Sequence, residues 1–181
     1  MTSPKDLRET ADLAENVAAG FRQFRIHLPE HSADLTTLMS DLFGISASLT
    51  VIIDMSTLPE RRPNWQRIQL DLDRIRSSLN YTLEDIYDTF GHIDAKGRAS
   101  RASYKNAWVE LDFLLHEESG YSLGTRLRKY KMFLKELEDT MQEYGICRLL
   151  SPNHFAPPNV KGILVQFAFL ASRSLLTVAA L

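Results

Sequence analysis

Residues 64–93 read NWQRIQLDLDRIRSSLNYTLEDIYDTFGHI, and an apolar residue recurs there at every third or fourth position. This spacing places the apolar side chains on one face of an α-helix. At 1.5 Å per residue such a helix would be about 45 Å long, so helices of similar length must cover its apolar face. The residues of that face are Trp65, Ile68, Leu72, Ile75, Leu79, Leu83, Ile86, Phe90 and Ile93.

Two helices are predicted before this stretch. Ser3 and Pro4 suit the N-cap and the first position of one helix, and Pro29 ends it. Ser32 is expected to cap a second helix, in which apolar residues from 35 to 52 alternate strictly at steps of three and four. That spacing is typical of helices that pack nearly parallel to one another.

Two more helices are predicted after the long one, beyond a small and charged loop at residues 94–100. The first is short and ends near Gly120, a residue type common just past helix ends. Ser122 can cap the next helix, and Gly145 is placed to end it. An irregular connection is expected at residues 146–159, which contain three prolines. The apolar stripe of the short helix is Tyr104, Trp108, Leu111 and Leu115.

Residues 160–181 are apolar almost all round. They are long enough to span a bilayer, but Arg173 near the middle would cost on the order of 3 kcal/mol on insertion. A bundle helix covered on most sides is the preferred interpretation. The alternative is a helix covered by a second copy or by sequence missing from this chain, and an uncovered face of that kind would be a partner site. The predicted partner surface combines this segment with the fifth helix: Phe167, Leu170, Arg173, Arg126 and Lys129.

The pattern as a whole predicts an all-α, up-and-down helical bundle of five or six helices, some of them long, in a single domain over residues 1–181. Nowhere does an alternating strand flanked by hairpin turns interrupt it. The helices that begin near Ser32, Asn64 and Ser122 are expected to form the core. The predicted packing anchors are Trp65, Phe90 and Trp108.

Composition narrows the class of function. The chain has 181 residues, 44% hydrophobic and 24% charged, with a formal net charge of -2. This balance argues against a general binder of nucleic acid. The single cysteine, Cys147, cannot form an internal disulfide and fits a reducing compartment. Because residues 1–12 also lack the apolar run of a secretory signal, we expect a cytoplasmic protein.

The titratable residues do not form a catalytic or metal-binding motif. His27 and His31 have helical ligand spacing, but Pro29 between them breaks that geometry. The ligand-type residues at 116–118 point in different directions on a helix, and an acidic group at residues 84, 85 and 88 is best explained as a solvated face. We therefore expect no enzyme, no cofactor and no metal site. The basic residues of the fifth helix could meet an anionic membrane or a phosphorylated partner, although interleaved acids favour a solvated flank: Arg126, Arg128, Lys129, Lys131 and Lys135.

Several stretches carry a resemblance to known proteins: WQRI at 65–68, DLDRIRSSL at 71–79, YTLEDI at 81–86, WVEL at 108–111, ESGYSL at 118–123 and RLRKY at 126–130. They resemble the helical N-terminal region of a set of uncharacterised filamentous-fungal proteins. More distantly, they are similar to the N-terminal domains of fungal STAND (NLR-like) proteins and to HeLo-like bundles. The resemblance implies a signalling or adaptor bundle that acts through self-association or membranes. HeLo-type domains that act on membranes have an apolar N-terminal helix, whereas residues 1–12 here are charged, so we expect a protein partner ahead of a membrane.

Overall fold

The computed structural model describes residues 3–94 and 100–150, with side chains left out of the description at 92, 94, 114–119 and 143–150. The described part is an all-α helical bundle, as the sequence predicts. The predicted C-terminal helix and most of the predicted irregular connection lie outside the described residues. The helices are α1 (Pro4–His27), α2 (Ser32–Ser56), α3 (Arg62–Asp94), α4 (Arg101–Ser119) and α5 (Leu123–Leu150), with single 3-10 turns at Pro29–His31 and Pro59–Arg61.

Four of the helices form a ring around one core: α1 packs on α2, α2 on α5, α5 on α3, and α3 on α1. The most extensive of these interfaces is between α1 and α2. The predicted core of α2, α3 and α5 is therefore incomplete, because α1 is also a main part of it. Ala11, Ala14 and Ala18 are small residues on the buried face of α1, and small residues allow packed helices to approach closely.

Side-chain contacts show the direction of each helix. Ser46 of α2 donates a hydrogen bond to Glu15 of α1, while Arg25 lies beside Thr36, so α1 and α2 are antiparallel. By the same reasoning α2 and α5 run parallel, since Asp41 is paired with Lys131 and Ser48 with Glu138. Consecutive helices α2 and α3 consequently lie diagonally across the ring rather than side by side.

Helix α4 stands outside the ring and contacts α3, α1 and α5. Its buried residues Tyr104, Ala107 and Leu111 face the bundle near the corner between α1 and α2. The three predicted anchors Trp65, Phe90 and Trp108 are half-buried and pack against the edge of the core.

Helix ends follow the predicted signals at Ser3, Pro29, Gly120 and Ser122. Asp6 donates its backbone N–H to the Ser3 hydroxyl at 3.2 Å, and Ser3 N–H donates to the Asp6 carboxylate at 2.8 Å, which completes a capping box. The hydrogen bond from the Ser3 backbone N–H to this carboxylate is the main reason that the pKa of Asp6 is lowered, and the Ser3 side chain acts in the same direction. Gly120 follows α4 with a φ of 68°, the left-handed conformation that favours glycine.

Two other predicted helix ends are wrong. Ser32 is the first residue of α2 rather than its cap, because the 3-10 turn leads directly into the helix and His31 occupies the cap position. Helix α5 passes through Gly145 and continues to Leu150. A glycine inside a helix costs about 1 kcal/mol relative to alanine but keeps its backbone N–H, so it weakens the helix without ending it.

Candidate interaction surface

The predicted partner surface is not reproduced as one exposed patch. Phe167, Leu170 and Arg173 lie outside the described residues. Arg126 differs from the expected exposed flank: it is only 5% exposed, and its Nε donates a hydrogen bond to the Tyr130 hydroxyl at 3.3 Å. Its position explains this difference, since Arg126 lies four residues before the buried Tyr130 and therefore on nearly the same side of α5.

Lys129 is half-buried and lies over an aromatic ring. Its Nζ is 3.4 Å from the centre of the Tyr121 ring, which is the geometry of a cation–π contact. This contact holds the residues just before α5 against its first turns. Of the predicted partner residues that the structure describes, Arg126 and Lys129 are thus both engaged with residues of their own chain.

Two further cations of α5, Lys131 and Lys135, are paired with carboxylates of the same chain. Lys135 donates to Glu138 at 2.7 Å and lies 3.4 Å from Asp139. The hydrogen bond to Glu138 is the main reason that the pKa of Lys135 is raised. Glu138 is itself buried and accepts a further hydrogen bond from Ser48 of α2 at 3.2 Å. Glu138 therefore joins α5 to α2, and Lys135 is paired with carboxylates of its own helix.

Gly44 has a role in the same interface. The aliphatic stem of Lys131 lies against it, and a Cβ at position 44 would come closer than 3.0 Å to Lys131 Cε. The Lys131 amine then reaches the buried Asp41 carboxylate at 3.0 Å. The close neighbour of Gly44 is therefore a lysine side chain rather than a backbone.

A second polar cluster joins α5 to α3 around Tyr130, whose side chain is fully buried. Its hydroxyl lies 2.7 Å from the Ser78 hydroxyl and 3.3 Å from that of Thr82. Because an unpaired buried hydroxyl is costly, these bonds select the register in which α5 packs on α3.

The histidines at the corner between α1 and α2 contact aromatic rings. The His27 ring stacks on Tyr104 with centroids 4.2 Å apart, and the His31 ring lies 5.5 Å from that of Trp108. The described residues contain no group of three or more metal-ligating side chains. These two contacts connect α4 to the rest of the bundle, beside an aromatic cluster of Phe21, Phe24, Phe90, Tyr104 and Trp108.

The other predicted titratable groups are dispersed. Glu84 and Asp88 are exposed on α3, and Asp85 beside them is half-buried. The side chains at 116–118 lie outside the described residues. Burial raises the pKa of Asp71, which is the largest effect on that carboxyl, while nearby Arg74 acts in the opposite direction.

The outer face of α4 carries apolar side chains that the sequence analysis missed. Val109 is 60% exposed and Phe113 is 63% exposed, one turn apart on the side of α4 opposite to its buried residues. Ala102 and Asn106 continue the same line and are exposed as well. The four residues are separated by four, three and four positions, which is the spacing of a helix–helix seam. That spacing was visible in the sequence, but the aromatic stripe on the opposite face of the helix dominated its interpretation.

Membrane insertion has one candidate helix in the described part of the chain. The segment Pro29–Ser56 is long and apolar enough to cross a bilayer, and 56% of its most apolar stretch is buried in the bundle. The core helix of a water-soluble bundle has the same properties.

Comparison of the chain with protein-family models, curated proteins and solved structures finds no match in any of the three.

Proposed function

We propose that this chain is a non-enzymatic, intracellular protein-interaction module that acts as an adaptor or signalling bundle. The observation that carries the proposal is the outer face of α4, where Val109 and Phe113 are both more than half exposed. Burying large apolar side chains of this kind contributes about 1.5 to 3 kcal/mol each. A neighbouring pair of them on one helix face is a suitable contact point for another protein.

The chemistry of the polar groups supports a binding role over catalysis. Lys131, Lys135 and Arg101 are each paired with a carboxylate of the same chain. Tyr130 and Glu138, which are buried and polar, are hydrogen-bonded between helices. Such groups specify how the helices pack, whereas Val109 and Phe113 are exposed apolar neighbours on one helix face and remain available to a partner.

A protein partner is also favoured over an anionic membrane. The apolar pair is flanked by Glu110 and Asp112, which are exposed. Carboxylates beside the apolar contact would be repelled by anionic headgroups. The resemblance to fungal STAND-type and HeLo-like domains agrees with an interaction module and leaves membrane association as the second candidate.

The proposal is tested by comparing three forms of the full chain as baits in cells. They are the unchanged protein, the double variant Val109→Glu/Phe113→Glu, and the control Met132→Glu. Met132 is a matched control because it is 59% exposed on α5, away from the α4 face. We expect proteins captured by the unchanged chain and the control to be lost with the double variant. Equal capture by all three forms would refute the assigned surface.

A vesicle assay separates the two candidates. The same three forms are sedimented with vesicles of phosphatidylcholine containing phosphatidylserine. If none of the three forms sediments with the vesicles, the result agrees with the proposed protein partner. Binding that the double variant abolishes would instead favour membrane association through α4 and contradict the proposal.

A further inference from the structure

We infer that the outer face of α4 binds the same face of a second copy of this chain, with the two α4 helices antiparallel. The inference rests on the proposed function and names the partner of that surface. Helix α4 is apolar on two opposite sides: Tyr104 and Leu111 face the bundle, whereas Val109 and Phe113 face outward. A helix that is apolar on both sides needs cover on both.

The outward residues form a narrow seam, defined as Ala102, Asn106, Val109 and Phe113. Its spacing of four, three and four places all four on one line along the helix, as in the seam between two packed helices. All four are exposed in the bundle. A second copy of α4 has a seam of the same width and length, so the surface can be covered without any additional element.

An antiparallel arrangement matches the seam by size. When two copies of α4 pair about a two-fold axis with opposite directions, Phe113 of one chain faces Ala102 of the other, and Val109 faces Asn106. Each layer then combines a larger with a smaller or polar side chain, which is how packed interfaces avoid gaps and overlaps. A parallel pair would place Phe113 on Phe113 and Ala102 on Ala102, so that one layer is crowded and another is empty.

Charge on the flanks also matches. Lys105 and Asp112 are seven residues apart, are exposed, and lie on the same flank of the seam. In the antiparallel pair Lys105 of each chain lies beside Asp112 of the other, so the two-fold axis creates two opposite-charge pairs. On the other flank Glu110 lies beside the second copy's Ser103, without a like-charge conflict. Interfaces of this type use such pairs to specify register and direction.

The size of the seam sets the expected strength of the dimer. Helix α4 has 19 residues, and only its outer face would be covered. A standard interface buries about 800 Å² on each partner, more than a few seam residues provide. We therefore expect a weak dimer that forms at high local concentration, as when the module is tethered beside other copies.

Sedimentation velocity on the full chain, from about 10 μM to about 1 mM, tests the inference over the range in which interfaces of this size dissociate. We expect a mass that rises from monomer toward dimer with concentration. Phe113→Glu should weaken association by about thirtyfold or more, because the two-fold pair loses a large apolar contact in both chains, whereas Met132→Glu should not change it. Because both positions are exposed, circular dichroism should show that each variant remains folded.

Charge reversal tests the direction of the helices. Lys105→Glu places a carboxylate beside Asp112 of the other chain in both pairs, and this repulsion should weaken association by about three- to tenfold. Adding Asp112→Lys should restore it, because both pairs become opposite in sign again. Restoration by Glu110→Lys in place of Asp112→Lys would overturn the antiparallel arrangement in favour of a parallel one.

Two results would overturn the second copy as the partner. One is a chain that stays monomeric at every concentration while Phe113→Glu leaves its stability unchanged. The other is a monomeric chain that Phe113→Glu destabilises, because the seam would then be covered by the same chain, for which apolar residues 160–181 are the candidate. The first result leaves the interaction module standing, since that proposal is refuted by its own tests, equal capture in cells or vesicle binding through α4. The second result would also remove the exposed α4 face on which the interaction module rests.

Discussion

Alanine at Gly20 and alanine at Gly91 should have opposite effects on the stability of the bundle. Both glycines lie inside helices, so each replacement gains about 1 kcal/mol of helix propensity. At Gly91, in the last turn of α3, the added Cβ would meet no other described side chain within 4 Å, and the expected result is a gain of up to about 1 kcal/mol. At Gly20 the Cβ would come closer than 3.0 Å to the ring of Phe90, so the ring must move.

The cost at Gly20 follows from what holds that ring. Phe90 has ring centroids 5.2 Å from both Phe21 and Phe24, and displacing it disturbs both contacts. Overpacking of this kind typically costs about 1 to 3 kcal/mol. After the propensity gain is subtracted, Gly20→Ala should destabilise the bundle by about 0 to 2 kcal/mol. The two alanine variants should therefore differ by about 1 to 3 kcal/mol.

Urea unfolding followed by circular dichroism measures this difference for the two variants and the unchanged chain. In thermal unfolding a chain of this size shifts by about 2 to 4 °C for each kcal/mol. A third and a fourth variant are Phe90→Leu and Gly20→Ala/Phe90→Leu. Adding Gly20→Ala to Phe90→Leu should cost less stability than adding it to the unchanged chain, because the smaller side chain leaves room for the Cβ. If Gly20→Ala stabilises the protein as much as Gly91→Ala does, the packing of Phe90 on α1 is refuted.

Two further predictions concern polar residues. Burial raises the pKa of Asp71 above its ordinary value of 3.8 despite nearby Arg74, so ionisation of Asp71 is less favourable in the folded state than in the unfolded state. Asp71→Asn should therefore raise the free energy of unfolding at pH 7, and the gain should vanish as the pH falls below 3.8; an equal gain at pH 3 and pH 7 would contradict this cause. Tyr130→Phe removes a buried hydroxyl that lies 2.7 Å from the Ser78 hydroxyl and should cost about 1 to 3 kcal/mol, whereas Tyr87→Phe, 50% exposed, should stay within about 0.5 kcal/mol of the unchanged protein; equal effects in denaturant unfolding would refute the assigned bond.

The expected exposure of charged residues shows a limit of helix patterns. Arg126 and Glu138 look like ordinary polar positions beside the apolar stripe of α5, yet both are buried. Their burial depends on Tyr130 for the first and on Ser48 and Lys135 for the second. Two of these three partners are near neighbours on α5, but Ser48 is 90 positions away, and helical spacing carries no information about contacts at that distance.

The candidate surface on α4 shows a second limit, because two opposite faces of one helix fitted the pattern of a buried face. The seam on α4 was present in the sequence as a spacing of four, three and four, but so was the stripe that includes Tyr104 and Leu111. Both faces satisfied the criterion for a buried face. Packing of Tyr104 on Phe24 and His27 shows which face the bundle uses, and only then does the seam with Val109 and Phe113 become an outer surface.

The sequence by itself determined the helical class, the extent of most helices and several of their ends, because these depend on hydrophobic period, capping residues and prolines within a few positions of one another. Only the tertiary structure decided that α1 shares the largest interface with α2, that α2 and α3 lie diagonally, and that Lys131 and Lys135 of α5 are paired with carboxylates of the same chain. The physical reason is that every long helix here has an apolar face able to pack on several others. Their arrangement is selected by details that act between distant segments: small residues on α1, the space at Gly44 for Lys131, and the hydrogen bonds of Tyr130.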